Sequence, residues 1–327
     1  IIGLMDRVQH NFSDKGQSHS NTLSLPEGNS DYGQLLLHIS VDCPAGGCDP
    51  WDMVGNVKIK KDGREYEIGR FITPYGKACG PWTIDVSDFR SILCGSIDVL
   101  SYIEVWGSSG WLLTLDLEYV EGELEYPFTK VVPLYEIDRQ VYGDPFNSCD
   151  LPEKTVSIPA NTQLAHIRMT NTGHGQANTN NAAEFMEANH HIRVNGIEKF
   201  THHLWKEDCN QNSCSPQFGS WQYSRAGWCP GQQVDPAWFN IADVLTPGED
   251  MLFDYVLEDY VNLLNTNYNG GSHTEPFYKI YSYLILSSDS PFENYMDLVL
   301  DSVSLHEGAG QGTKKICMEF SNKGSVD

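Results

Sequence analysis

Three carboxylates in this chain stand beside aromatic side chains. Asp52 follows Trp51, Glu104 lies two residues before Trp106, and Glu184 precedes Phe185. A carboxylate against an aromatic face suits sugar recognition, because the ring packs on the apolar face of a pyranose while the carboxylate accepts hydroxyl or amide hydrogens. Partial desolvation by the ring, or crowding by a second carboxylate, raises a carboxyl pKa toward the range useful in acid–base catalysis. With 44 Asp and Glu residues in the chain, each of the three also fits a solvated strand edge, and composition alone does not bring them together. Asp49 belongs with the first, in the tight cluster Asp49-Pro50-Trp51-Asp52 that follows the cysteine pair Cys43/Cys48.

Two further groups carry possible chemistry. The loop Phe218–Gly231 combines Trp221, Tyr223 and Trp228 with Arg225 and Cys229, and it reads equally as one wall of a ligand cleft or as a pinned loop covering a sheet edge. The pairs His190-His191 and His202-His203 flank Asn195-Gly196, so a hairpin could bring imidazoles together as zinc or copper ligands. Adjacent strand residues point to opposite faces, so at most one of each pair can join one site; metal is the lesser reading, and no cofactor is expected. The Gly-rich HEGAGQGTKK starting at His306 breaks the P-loop spacing and reads as a solvated loop, no G-x-S-x-G elbow occurs, and the single sequon, Asn11-Phe12-Ser13, is near chance.

The elements that must hold these residues are strands. Short runs enriched in β-branched and aromatic residues recur between Gly, Asn, Asp and Pro, the pattern of an all-β sandwich or jelly roll. In the first half strands are expected at Gln34–Val41, Val54–Lys60, Glu65–Ile72, Trp82–Val86, Ser96–Trp106 and Trp111–Val120, with one helical turn at Ser87–Leu93 capped by Ser87 or Asp88. The second half offers Lys130–Tyr135, Lys154–Ile158, Ala165–Thr172, His190–Val194, Ile197–Thr201, Asp250–Leu257, Phe277–Leu286 and Met296–Leu305. Asp62-Gly63 and Asn195-Gly196 tolerate positive φ and predict hairpins. Loop-rich stretches at Asn171–Glu184 and Lys206–Pro236 are where binding residues usually sit on such a scaffold. The Glu-rich YVEGELEYP beginning at Tyr119 divides the 327 residues into domains of 1–122 and 123–327.

A balance of 21 Lys and Arg against 44 Asp and Glu, net −23, repels phosphate backbones and anionic lipid, so nucleic acid and membrane are not expected partners. Nine cysteines without a C-x-x-C motif suggest local disulfides at Cys43/Cys48, Cys79/Cys94 and Cys209/Cys229, with at least one of Cys149, Cys214 and Cys317 unpaired. Such pairing implies an oxidising compartment, secreted or periplasmic, with a signal peptide already removed.

One set of residues carries a family resemblance. CDPWD at Cys48–Asp52, NVKIK, YEIGRFITPY ending at Tyr75, TIDVSDFRSILCG at Thr83–Gly95, the Glu104-Val105-Trp106 triplet, Ala183–Phe185 and SRAGWCPG at Ser224–Gly231 together resemble the peptide-N-glycosidase F family. The resemblance spans both halves. It implies two eight-stranded antiparallel jelly rolls packed side by side with a cleft between them, and hydrolysis of the bond joining an N-glycan to the asparagine side chain, giving aspartate and a glycosylamine. The family's essential aspartate falls on Asp52, as base or nucleophile at the carbonyl, and its supporting glutamates fall on Glu104 and Glu184. The resemblance further implies Trp51, Trp106 and Trp228 as sugar-facing walls, Asp49, His174 and Phe185 as substrate contacts, Arg225 ion-paired to the acids, and a monomer acting on the chitobiose core and flanking peptide. Departures lie at Met53, where the family has Arg, at Ala182 and Met186, where it has a disulfide, at His174 and Gln176, which replace Trp and His, and at the added Cys79, Cys94 and Cys214. Readings outside the resemblance are a carbohydrate-binding protein without turnover, a glycosidase with paired carboxylates, and a copper-dependent monooxygenase.

Overall fold

A computed structural model of the chain describes residues 1–27, 32–147, 149–265, 273–292, 298–307 and 314–322, the last two segments as backbone. The first half supplies β1 (Ile2–His10), β2 (Ser18–Leu25), β3 (Tyr32–Asp42), β4 (Val54–Lys61), β5 (Arg64–Ile72), β6 (Cys79–Asp85), β7 (Gly95–Ile103) and β8 (Trp111–Glu121). The second supplies β9 (Phe128–Val141), β10 (Lys154–Ser157), β11 (Leu164–His174), β12 (Ala188–Val194), β13 (Ile197–Leu204), β14 (Gln232–Gln233), β15 (Ala237–Asn240), β16 (Asp250–Val256) and β17 (Phe277–Ser288). A hairpin of β18 (Leu298–Glu307) and β19 (Lys314–Asn322) follows.

These strands form two antiparallel sandwiches, the double jelly roll. In the first, the sheet β1-β8-β3-β6 faces β5-β4-β7-β2; in the second, β15-β11-β17-β9 faces β10-β16-β12-β13. Burial along β3 and β8 alternates residue by residue, which points Leu35, Leu37, Ile39, Leu113, Leu115 and Leu117 into one core. Both predicted hairpin turns form with positive φ at their central pairs, 51° and 79° at Asp62-Gly63 and 52° and 75° at Asn195-Gly196.

Strand β17 is buried on both faces, and that is what joins the halves. Its even-numbered Tyr278, Ile280, Leu284 and Leu286 pack in the second core, while Tyr281, Tyr283 and Ile285 pack in the first. Polar ties run through the same interface. Buried Arg70 on β5 donates from Nε to Glu67 at 2.9 Å and from Nη1 to Thr172 Oγ1 and the Lys279 carbonyl at 2.9 and 2.8 Å. Arg168 on β11 reaches back to the Asp85 carbonyl at 2.9 Å and Asp88 at 3.1 Å. Strand β14 extends the first sandwich from outside, pairing Gln232 with Ile72 and Gln233 with Phe71.

Several expectations need correction. Cys79 pairs with Cys214 and not Cys94, which is a free thiol. Cys79 opens β6 and Cys94 follows the turn beyond its far end, so seven extended residues of roughly 3.3 Å each separate the ends. The helical turn shrinks to Ser87–Phe89 and neither Ser87 nor Asp88 caps it: the Ser87 N–H donates to Asp85 at 2.9 Å, and Asp88 pairs with Arg168. Strand order continues to His174, so the loop expected from Asn171 begins after it. β1, β2 and β15 were not expected; β2 and β15 present mostly exposed or half-buried residues and lack a strong apolar signal. Asn11 of the sequon is buried, its amide donating to Asp14 and the Ser108 carbonyl. His190 and His202 face each other across the hairpin inside the second core, ring centroids 6.5 Å apart, while His191 and His203 turn outward to Glu198 and Asn189. Met296 and the glycine-rich residues 308–313 lie outside the described residues.

Removing one partner of the buried Glu67–Arg70 pair strands the other charge, which costs about 3–5 kcal/mol. Glu67→Gln should lower the urea midpoint accordingly, and a Glu67→Leu/Arg70→Met double variant should recover most of that loss; equal loss in both would show that the pair is not the source.

Candidate functional site

Asp52 sits in the short lead into β4, and Thr73, just past the end of β5, holds it from both sides. The Thr73 hydroxyl donates to the Trp51 carbonyl at 2.8 Å and accepts the Met53 N–H at 2.8 Å, while the Thr73 N–H donates to the Met53 carbonyl at 2.9 Å. Upstream, the Cys43–Cys48 disulfide closes the preceding loop. Asp49 then braces two loops at once: its buried carboxylate accepts the N–H of Trp51 at 3.1 Å and of Gly107 at 3.0 Å. A Cβ at position 107 would lie 2.3 Å from Asp49 Oδ2, so glycine is what lets the Trp106 loop approach the Trp51 loop. Asp49 is therefore a structural brace between the Trp51 and Trp106 loops.

Glu184 comes from the other sandwich. It occupies a turn between β11 and β12, and its carbonyl accepts the Ala226 N–H at 2.9 Å, while Gly173 N–H donates to the Ala226 carbonyl at 3.0 Å. These bonds set Glu184 beside Arg225. The guanidinium is fully buried, and four of its five N–H groups donate hydrogen bonds. Nε donates to Glu184 at 3.2 Å, Nη1 to the Ser220 and Tyr223 carbonyls at 3.0 and 2.9 Å, and Nη2 to Ser220 Oγ at 2.9 Å, with Asp52 Oδ2 3.6 Å from Nη2. The Phe185 and Trp228 rings lie 4.8 and 4.7 Å from its central carbon, favourable cation–π distances. Tyr75 completes the group, its hydroxyl donating to Asp52 Oδ2 at 2.7 Å and lying 3.1 Å from Ser220 Oγ.

Burial and a shared cation separate the two carboxyls. Burial pushes Asp52 up from its ordinary value, against the Tyr75 hydrogen bond and the Arg225 charge that hold it down. Glu184 is pushed up to about 7 by burial, with the Arg225 charge opposing and the Asp52 charge adding to the rise. Near neutral pH the Glu184 carboxyl therefore sits at the edge of holding a proton. Burial and the Asp52 charge push the Tyr75 phenol far up, so it remains a donor.

Glu104 stands apart from this pair. Its N–H donates to the Val54 carbonyl at 2.9 Å, which places it just past β7 next to the start of β4. Its carboxyl is pushed up by burial and held down by Lys279 and Arg139, with which it lines a cleft of about 710 Å³ between the sandwiches, together with Tyr102, His174 and Phe277. His174 is held down to about 3 by burial and nearby cations, so its ring is neutral; it stacks between Trp228 and Phe277 at centroid distances of 5.5 and 5.1 Å. Trp51 and Trp106 are each 57% exposed, and Phe12 packs on Trp106 at 5.1 Å. Trp228 is not an open wall: it is 2% exposed, donates to the Gly173 carbonyl at 2.7 Å, and supports Arg225 and His174 from beneath.

Sequence reasoning missed Tyr75, Ser220 and Thr73, which hold the acids without being acidic. Tyr75 lay within the YEIGRFITPY block, but nothing in its spacing showed a bond to Asp52. Among the described residues no group of three or more His, Cys, Asp or Glu side chains is arranged to hold a metal ion.

A family model described as peptide-N-glycosidase F, C terminal, matches residues 141–285. Over 306 residues the chain is 31% identical to peptide-N(4)-(N-acetyl-beta-D-glucosaminyl)asparagine amidase F of Elizabethkingia miricola, covering 89% of this chain and 84% of that protein. A solved structure of PNGase F, a glycosylasparaginase from Flavobacterium meningosepticum, is 30% identical with a TM-score of 0.80 over 89% of this chain and 96% of its own. PNGF-II shares the fold alone, at 15% identity and a TM-score of 0.70 over 90% of this chain and 66% of its own. By sequence over most of its length and by fold, the chain belongs to the peptide-N-glycosidase F family.

Proposed function

We propose that this chain is an amidase that hydrolyses the bond between an N-linked glycan and its asparagine, releasing the glycan as a glycosylamine and leaving aspartate in the peptide. The observation that carries this reading is the meeting of Asp52 and Glu184, one from each sandwich, on the single buried cation Arg225. Family membership supplies the reaction, and the geometry supplies a means. Amide hydrolysis needs an activated water, stabilisation of the tetrahedral oxyanion and a proton for the departing nitrogen. Asp52, held by the Tyr75 hydroxyl, directs attack at the carbonyl. Glu184, whose carboxyl titrates near neutrality, takes a proton from the attacking water and returns it to the nitrogen as the tetrahedral intermediate collapses. Glu104 orients the linkage from the cleft side, and Trp51, Trp106 and the neutral His174 offer faces for the chitobiose core, with Phe185 behind Arg225.

All of these groups come from one chain, which supports action as a monomer on a glycopeptide or glycoprotein, with a first domain of 1–122 and a second of 123–327. Three disulfides among the described residues support a secreted or periplasmic setting. Mass spectrometry of a treated N-glycopeptide tests the reading: asparagine converted to aspartate supports it, whereas unchanged peptide, or asparagine still bearing one sugar, overturns it.

Asp52→Asn keeps shape and removes charge, so kcat/KM should fall on the order of 10²- to 10⁴-fold with the fold intact by circular dichroism; activity within a few-fold of the parent would remove Asp52 from the reaction. Glu184 must be ionised to accept a proton, so kcat/KM should rise with pH through about 7 and level off above it. Glu184→Gln should leave a low residual rate without that limb, and persistence of the limb in the variant would assign it to another group.

A further inference from the structure

The loop Thr73–Cys79 of the first sandwich and the loop Asn212–Tyr223 of the second meet along several contacts. Tyr75 N–H donates to Gln217 Oε1 at 3.0 Å, Lys77 donates to the Pro216 carbonyl at 3.2 Å, and Cys79 is bonded to Cys214. Gly219 takes φ of +70°, and a Cβ there would lie 2.9 Å from the Tyr75 ring, so the two loops touch through a glycine. At the far end of this seam, Tyr75 binds Asp52, and Ser220 binds both Tyr75 and Arg225.

We infer that the Cys79–Cys214 disulfide is a positioning clasp for the reaction, holding the Tyr75 loop against the Ser220 loop so that Asp52 and Arg225, from opposite sandwiches, keep their spacing. This rests on the amidase reading above. The bond joins residues 135 apart in sequence and is the disulfide that spans the two sandwiches among the described residues. The other two disulfides lie within one loop region each, at separations of 5 and 20. A misplacement of about 1 Å at a reacting centre costs on the order of 100-fold in rate. Loosening the seam acts on the carboxyls through Arg225, whose charge holds both Asp52 and Glu184 down. Ser220 anchors Arg225 through two of its donors, and Arg225 holds Glu184 down, so a freer guanidinium lets the glutamate rise.

The test is a kinetic cycle on an N-glycopeptide with the parent, Cys79→Ser/Cys214→Ser, Tyr75→Phe and the triple variant, assayed below the unfolding transition of each. Mass spectrometry of the parent should show the Cys79–Cys214 crosslink. Removing the clasp should lower kcat on the order of tenfold or more, with a smaller change in KM, and move the acid limb of the pH profile to higher pH. In the Tyr75→Phe background the same removal should cost less than in the parent, because part of the clasp's effect runs through that hydroxyl. An additive cycle, an unmoved limb, an absent crosslink, or a serine variant unfolded at every temperature would overturn the clasp as a positioning device. An inactive parent would instead overturn the amidase reading.

Discussion

Everything in this site depends on one buried guanidinium. Arg225 is excluded from solvent, and a cation in that position is tolerable only when its N–H groups and its charge are answered. The protein answers with two backbone carbonyls, a serine hydroxyl, Glu184 at hydrogen-bond distance and Asp52 at 3.6 Å. The carboxylates are thus drawn together by a charge that belongs to the second sandwich, and the first sandwich must bring Asp52 to it. The relative placement of the two sandwiches is therefore part of the chemistry as well as of the fold.

That placement has its own physical basis. β17 is apolar on both faces, so it serves as the wall of two cores at once. The hydrogen bonds from buried Arg70 to Thr172 and the Lys279 carbonyl, and the Arg168–Asp88 pair, then fix the lateral position of the two halves, since a buried charge is costly unless its partners are kept. β14 crosses from the second half to pair with β5, the strand whose continuation carries Thr73 and Tyr75. The site is built where these restraints converge.

What the sequence revealed follows the same division. Local patterns announced themselves: the alternation in β3 and β8, and the two positive-φ hairpin turns, depend only on neighbouring residues. Asp52 and Glu184 could be named because aromatic neighbours marked them and a family resemblance ordered them. Asp49 and Trp228, by contrast, are almost closed to solvent, which their residue types did not announce, because burial is a property of tertiary packing. The partner of Cys79 was misjudged for the same reason: sequence proximity favoured Cys94, while the interface brings Cys214. Tyr75 and Ser220, the hydroxyls that link the acids to the guanidinium, have no marker in sequence at all.

Burial beside a shared cation and a second carboxylate poises Glu184 at neutrality. Infrared difference titration of the carboxyl stretch, assigned by its loss in Glu184→Gln, reads that directly in the resting protein. The account predicts a midpoint near 7, well above the ordinary 4.5 of a glutamate. A midpoint at the ordinary value would contradict it, because a carboxyl that is already ionised throughout the neutral range is not held by the environment described above.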